Sequence, residues 1–150
     1  MSNLSELSLT DCVFTTSKMQ TFLEICKEKS KINKPTSLNK LDLAGECNGL
    51  TDNIIKTVSS IQSLTEIRLH FTDEIEVATN AFVQNVAKVP FLRNITMICM
   101  SMSLAELQIL RTSPSLRYVE LHTNSEITVA DIKCTDFPTH VDVILNDVLC

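Results

Sequence analysis

The residues best suited to chemistry are two histidines that recur in one context. His70 lies in SLTEIRLHFTDEI, residues 63–75, and His122 in SLRYVELHTNSEI, residues 115–127; the two stretches overlay without a gap at an offset of 52. Imidazoles at matched positions invite a shared metal ion or general acid–base work, with Glu120 or Asp142 as the carboxylate partner. Neither carboxylate has a spacing that marks it as a ligand, and Ile98 holds the equivalent place between the histidines. On strands two places apart in one sheet the backbones stand roughly 10 Å apart, too far to share an ion without a further ligand. No metal or cofactor is therefore expected. The histidines read as hydrogen-bonding surface groups whose charge makes binding sensitive to pH.

The remaining reactive residues point away from catalysis. Cys12, Cys26, Cys47, Cys99, Cys134 and Cys150 include no Cys-x-x-Cys and no Cys/His cluster of metal-ligand spacing. Cys12, Cys47 and Cys99 fall where the chain leaves a strand, and reduced cysteines there act as small buried hydrophobes. With Gly45 and Gly49 as the only glycines, no phosphate-cradling loop or nucleophile elbow is present, and Ser, His and Asp form no recognised motif. Asn3-Leu4-Ser5 and Asn94-Ile95-Thr96 match the glycosylation acceptor pattern, but with no secretion signal expected the match reads as coincidence. An enzyme is not expected.

What positions these residues is a repeated element. Leu-x-x-Leu-x-Leu, or its apolar equivalent, occurs at Leu4/Leu7/Leu9, Leu38/Leu41/Leu43, Leu64/Ile67/Leu69, Leu92/Ile95/Met97, Leu116/Val119/Leu121 and, more weakly, His140/Val143/Leu145. Successive starts differ by 34, 26, 28, 24 and 24 residues, a period typical of stacked units. The prolines keep the same phase: Pro35 precedes its triplet by three residues, and Pro90, Pro114 and Pro138 precede theirs by two, with Gln62 as the exception. A residue without an N–H, which also disfavours helix before it, ends one helix and turns the chain into the next strand.

Between the triplets the apolar period changes from two to about 3.6. Met19, Phe22, Leu23 and Cys26 trace one helical face, and Ile54, Ile55, Val58 and Ile61 a second. Ala78, Phe82, Val86 and Val89 trace a third, and Leu104, Leu107 and Leu110 a fourth, opened by a Ser103/Glu106 capping box. A fifth unit, around residues 128–133, has space for a turn or two. A short strand followed by a helix cannot bury its apolar edge alone, so neighbouring copies must stack.

These triplets, the cysteines at strand exit, and the phrase Pro-x-Leu-x-x-Val-x-Leu of PSLRYVEL with its looser copy PFLRNITM resemble the leucine-rich repeat family in its ribonuclease-inhibitor-like and cysteine-containing subtypes. The resemblance implies an α/β solenoid, a horseshoe of five to six repeats over residues 1–150, with a parallel sheet on the concave face and helices on the convex face. It also implies a protein-binding role, as in the substrate-recognition repeats of F-box subunits of ubiquitin ligases. The usual asparagine after the third leucine is mostly absent, Met97 and His140 replace leucines, and no F-box segment is present.

Side chains alternate along a strand, so the residues between framework positions face away from the core in three columns. The first is Glu6, Lys40, Glu66, Asn94, Tyr118 and Asp142; the second Ser8, Asp42, Arg68, Thr96, Glu120 and Ile144; the third Thr10, Ala44, His70, Ile98, His122 and Asn146. Glu6, Lys40 and Glu66 alternate in sign and Asp42 is expected to pair with Arg68, an arrangement typical of an ordinary solvated surface. The C-terminal half mixes aromatic, apolar and imidazole groups, which suits a protein contact. The expected protein-binding set is Glu66, Arg68, His70, Thr96, Ile98, Tyr118, Glu120, His122, Asp142 and Ile144.

Bulk properties agree with this expectation. The chain has 150 residues, 44% of them hydrophobic, and a net charge of −5, which argues against nucleic acid or a membrane surface as partner. The basic stretch KEKSKINK contains Glu28 and reads as a solvated loop. MSNLSELSLTD lacks a basic start and a continuous apolar run, and no window reaches a membrane span. A cytoplasmic or nuclear location is expected. Neither end looks polar enough to cap an array, so the expectation is a piece of a longer array or a chain whose terminal strands meet a partner, with a short variant that closes its edge by unusual means as the plainer alternative. Alternatives to the ubiquitin-ligase role are innate-immune or pathogen sensing and a plain structural scaffold.

Overall fold

The structure, a computed structural model, describes residues 4–10, 16–30, 38–45, 52–75, 79–100, 102–123 and 126–150. Strands and helices alternate as far as the sixth strand, which a seventh follows directly. They are β1 (Glu6–Thr10), α1 (Thr16–Ser30), β2 (Lys40–Gly45), α2 (Asp52–Val58), β3 (Glu66–Ile75), α3 (Thr79–Val86), β4 (Asn94–Met100), α4 (Leu104–Arg111), β5 (Tyr118–His122), α5 (Val129–Thr135), β6 (Asp142–Leu145) and β7 (Val148–Leu149). All seven strands form one sheet in chain order, parallel from β1 to β6, with β7 returning antiparallel along β6. Among the described residues no helix is long and apolar enough to cross a membrane.

The register follows the triplets. Leu7, Leu41, Ile67, Ile95, Val119 and Val143 occupy one row across the sheet, and Leu9, Leu43, Leu69, Met97, Leu121 and Leu145 the next. From β2 to β6 both rows are buried, and they share one apolar cluster with Leu23, Val58, Phe82, Leu107 and Ile132 of the five helices. Each fully buried leucine or isoleucine contributes about 1.5 to 3 kcal/mol. Just before β2, β3, β4 and β5, and at the first residue of β6, the backbone makes a ladder of its own: Asn39, Thr65, Arg93, Arg117 and Asp142 each donate an N–H to the unit before, at 2.7 to 2.9 Å. The serine shared by the two overlaid stretches joins neighbouring units as well, Ser63 Oγ donating to the Leu38 carbonyl and Ser115 Oγ to that of Val89.

The helices follow their expected faces with local exceptions. Met19, Leu23 and Cys26 of α1 are buried, as are Phe82, Val83, Val86 and Val89 around α3. The Ser103/Glu106 capping box opens α4, and α5 opens on a second, unexpected one between Thr128 and Asp131. Leu104 is 43% exposed because it is the first residue after the cap and points off the helix start, while Met102 fills the core just before it. Ala78, Pro35, Cys12 and Cys47 lie outside the described residues, as do the side chains of Ile54 and Ile55 on the expected α2 face. Cys99 lies within β4 rather than beyond it. Cys134 is exposed on α5, so burial does not extend to every thiol.

The two ends also depart from the repeat. Leu4 is 46% exposed and Leu7 and Leu9 are only partly buried, since among the described residues β1 pairs with β2 alone. His140 is exposed, and Val141 and Phe137 pack against the core in its place. Asn146 does not extend the third column: it turns the chain at φ 47° and Asp147 follows at φ 68°, which reverses direction into β7. Its side chain accepts from the Thr123 N–H at 3.0 Å and donates to the Thr123 carbonyl. The outer edge of β6 is thus paired.

Candidate functional site

The face of the sheet opposite the helices carries the three columns in the expected register, through Asp142 in the first, Ile144 in the second and His122 in the third. Period-two alternation puts all of them on one side because the framework leucines claim the other. Ile98 stands between His70 and His122. Arg68, His70 and Asp142 are exposed, whereas Glu66, Ile98, Tyr118, Glu120, His122 and Ile144 are half-buried and Thr96 is buried.

Three of these residues converge on the carboxylate of a fourth. Glu120 Oε2 accepts hydrogen bonds from the Tyr118 hydroxyl at 3.1 Å and the Thr96 hydroxyl at 3.2 Å. Its Oε1 lies 3.0 Å from His122 Nε2. An ionised carboxylate only accepts, so His122 donates from Nε2 and its tautomer is fixed. The side chains of Glu120 and His122 are 21% and 24% exposed, enough shielding for these bonds to hold two rings in place. The His122 hydrogen bond, with those of Tyr118 and Thr96, keeps the Glu120 carboxyl below the usual carboxylate range despite its partial burial. Burial, followed by the bond to Glu120 and its charge, pushes the Tyr118 phenol up, while the nearby Arg68 opposes the rise. Tyr118 therefore stays protonated as a donor.

This arrangement holds Tyr118 and His122 on either side of Glu120, each two residues from it along β5, with their hydrogen-bonding capacity partly directed inward. Asp147 Oδ1 comes within 3.8 Å of His122 Nε2, a second carboxylate contributed by the β6–β7 turn. That turn was not anticipated from the triplets; the Asn146-Asp147 pair, both tolerant of left-handed backbone, is the signal for it. Among the described residues no group of three or more His, Cys, Asp and Glu side chains has an arrangement able to hold a metal ion.

The N-terminal half of the face differs from expectation. An open depression of ≈ 440 Å³ crosses β1, β2 and β3, lined on its polar side by Glu6, Ser8, Lys40, Asp42, Glu66 and Arg68. Lys40 pairs with Glu6 at 3.2 Å. Asp42 and Arg68 are register neighbours but form no ion pair; Asp42 Oδ2 instead accepts from the Ser8 hydroxyl at 3.3 Å. Asp42 Oδ1 is shielded from solvent without a hydrogen-bond donor. Of the expected binding residues, then, Thr96, Tyr118, Glu120 and His122 form one network, and Glu66 and Arg68 belong to this separate depression. His70, Ile98, Asp142 and Ile144 join neither by a hydrogen bond.

No protein-family model matches the chain, and no curated protein matches it.

Proposed function

We propose that this chain is a non-catalytic protein-interaction module, a leucine-rich repeat solenoid of five to six strand–helix units curved into a horseshoe, acting in the cytosol or nucleus. Its parallel sheet forms the concave face and its helices the convex one, and a protein partner is bound on the sheet around Tyr118 and His122. The observation that carries this reading is the fixing of both rings by Glu120 on the face that the helices leave open. Rigid, half-buried aromatic groups bind at low entropic cost, because their rotamers are settled before the partner arrives. The register of β1 to β6, with its alternating helices, supports the solenoid.

Tyr118→Ala and His122→Ala test it. Both variants keep the melting behaviour of a folded protein while partner recovery in a pull-down falls about tenfold or more, the size of an anchor loss. Leu69→Asp, which buries an unpaired charge, supplies the unfolded control. Undiminished recovery with both surface variants defeats the assignment. The finer version, drawn from the resemblance, is the substrate-recognition part of an F-box-type ubiquitin ligase subunit. Sequencing the complete transcript tests that version, since an F-box segment in frame supports it and a transcript without one removes it.

A further inference from the structure

The depression across β1, β2 and β3 lies on the N-terminal side of Tyr118 and His122, with Arg68 at its rim near Tyr118, and its charges are unevenly matched. Lys40 is taken by Glu6, and Ser8 by one oxygen of Asp42. Left over are Asp42 Oδ1, shielded and without a donor, and the half-buried Glu66, opposed by the exposed Arg68. Among the described residues no hydrogen bond or ion pair reaches the side chain of Glu66 or Arg68, whose backbones pair in the sheet. Glu66 neighbours Lys40 in register and Asp42 neighbours Arg68, so both carboxylates border the same opening. Two acceptors thus share one uncommitted cation.

The imbalance extends along the open face. Its three columns hold five carboxylates, Glu6, Asp42, Glu66, Glu120 and Asp142, against the two cations Lys40 and Arg68, a net −3 of the chain's −5. A shielded carboxylate oxygen without a donor is costly, and a cation seated in the depression beside Asp42 lowers that cost through its charge. An acidic partner meets a repelling face whose Lys40 is already engaged. A basic one is attracted along the whole surface and finds acceptors concentrated at one place.

We propose that the depression takes a lysine or arginine side chain of a basic segment in the partner protein, with Asp42 and Glu66 as its acceptors. This rests on the open face being a protein-binding surface, and it adds the partner's charge and the residues that read it. Arg68, at the rim, selects against a second cation immediately beside the first and accommodates a carboxylate of the same segment.

The test is fluorescence anisotropy with a short labelled peptide of alternating arginine and serine, its ends blocked, beside a counterpart in which glutamate replaces arginine. The arginine peptide binds the wild-type chain and weakens as salt rises, while the glutamate peptide does not bind. Glu66→Lys lowers the affinity roughly tenfold and Asp42→Asn several-fold, with melting curves showing that each variant is folded. Glu66→Gln, which changes no volume, replaces Glu66→Lys if the reversal prevents folding. Equal binding of both peptides, or affinities within about twofold of wild type in the Glu66 and Asp42 variants, overturns the proposal. Partner capture lost in Tyr118→Ala alongside peptide binding indifferent to Asp42 and Glu66 defeats the depression alone. Peptide binding that depends on Asp42 and Glu66, alongside capture unaffected by Tyr118→Ala and His122→Ala, defeats the aromatic patch alone.

Discussion

Glu120 decides the behaviour of its neighbours because three donors meet on one carboxylate. The spacing Tyr118-x-Glu120-x-His122 was legible as one side of a strand, and Thr96 as a register neighbour of Glu120. Their convergence was not, since it depends on rotamers that parity leaves open. The His122 bond is the largest cause of the lowered Glu120 titration, so His122→Ala should return the carboxyl toward its ordinary range in an NMR titration. A smaller rise should follow Thr96→Val. A folded-state value below the unfolded one means that the contribution to stability is complete above the unfolded carboxylate range. It is lost as pH falls through the lowered folded value. Glu24, lowered chiefly by its hydrogen bond with Lys27, works in the same direction. Acid melts of wild type should therefore fall more steeply than those of Glu120→Gln; parallel curves would refute the role assigned to the network.

At the scale of single elements, the helices were more legible in their middles than at their ends. Period-3.6 spacing picks out Phe82, Val86, Leu107 and Leu110 because burial against the sheet repeats with the turn. The first residue past a cap escapes that logic, as Leu104 does. The Thr128/Asp131 box lies outside the usual pattern, which ends in Glu or Gln, because here the shorter Asp131 reaches back to the Thr128 N–H at 2.8 Å. The Ser103 box is the more buried, with the Ser103 N–H donating to Glu106 Oε2 at 2.6 Å beside a buried Glu106. Ser103→Ala should cost about 1 kcal/mol in urea denaturation. It also leaves Glu106 shielded without its Ser103 hydroxyl donor, so Ser103→Ala should be more damaging than Thr128→Ala at the exposed box of α5. The reverse order would show that cap burial does not set the cost.

Across the whole molecule, parity carried more information than composition. Knowing that Leu41, Ile67, Ile95 and Val119 share a face was enough to place every polar column through β5, because a one-residue slip would turn the leucines into solvent. Parity says nothing about where the stack stops, which explains the exposed Leu4, the displaced His140 and the hairpin at Asn146. Nor does it say which charges pair, which hid the depression at Asp42. One apolar cluster runs from Met19 to Leu145, and that continuity has a measurable consequence. Tyr118 is the only tyrosine and there is no tryptophan, so intrinsic fluorescence reports on β5 alone while circular dichroism reports on all the helices. Leu41, three strands away on β2 and fully buried, should cost about 2 to 5 kcal/mol when replaced by alanine. If the core is one cooperative unit, Leu41→Ala lowers the urea midpoint equally by both probes. A fluorescence midpoint that stays at its wild-type position while the dichroism midpoint drops would mean that β5 and its neighbours hold together without β2. The apolar rows would then transmit stability only to adjacent strands.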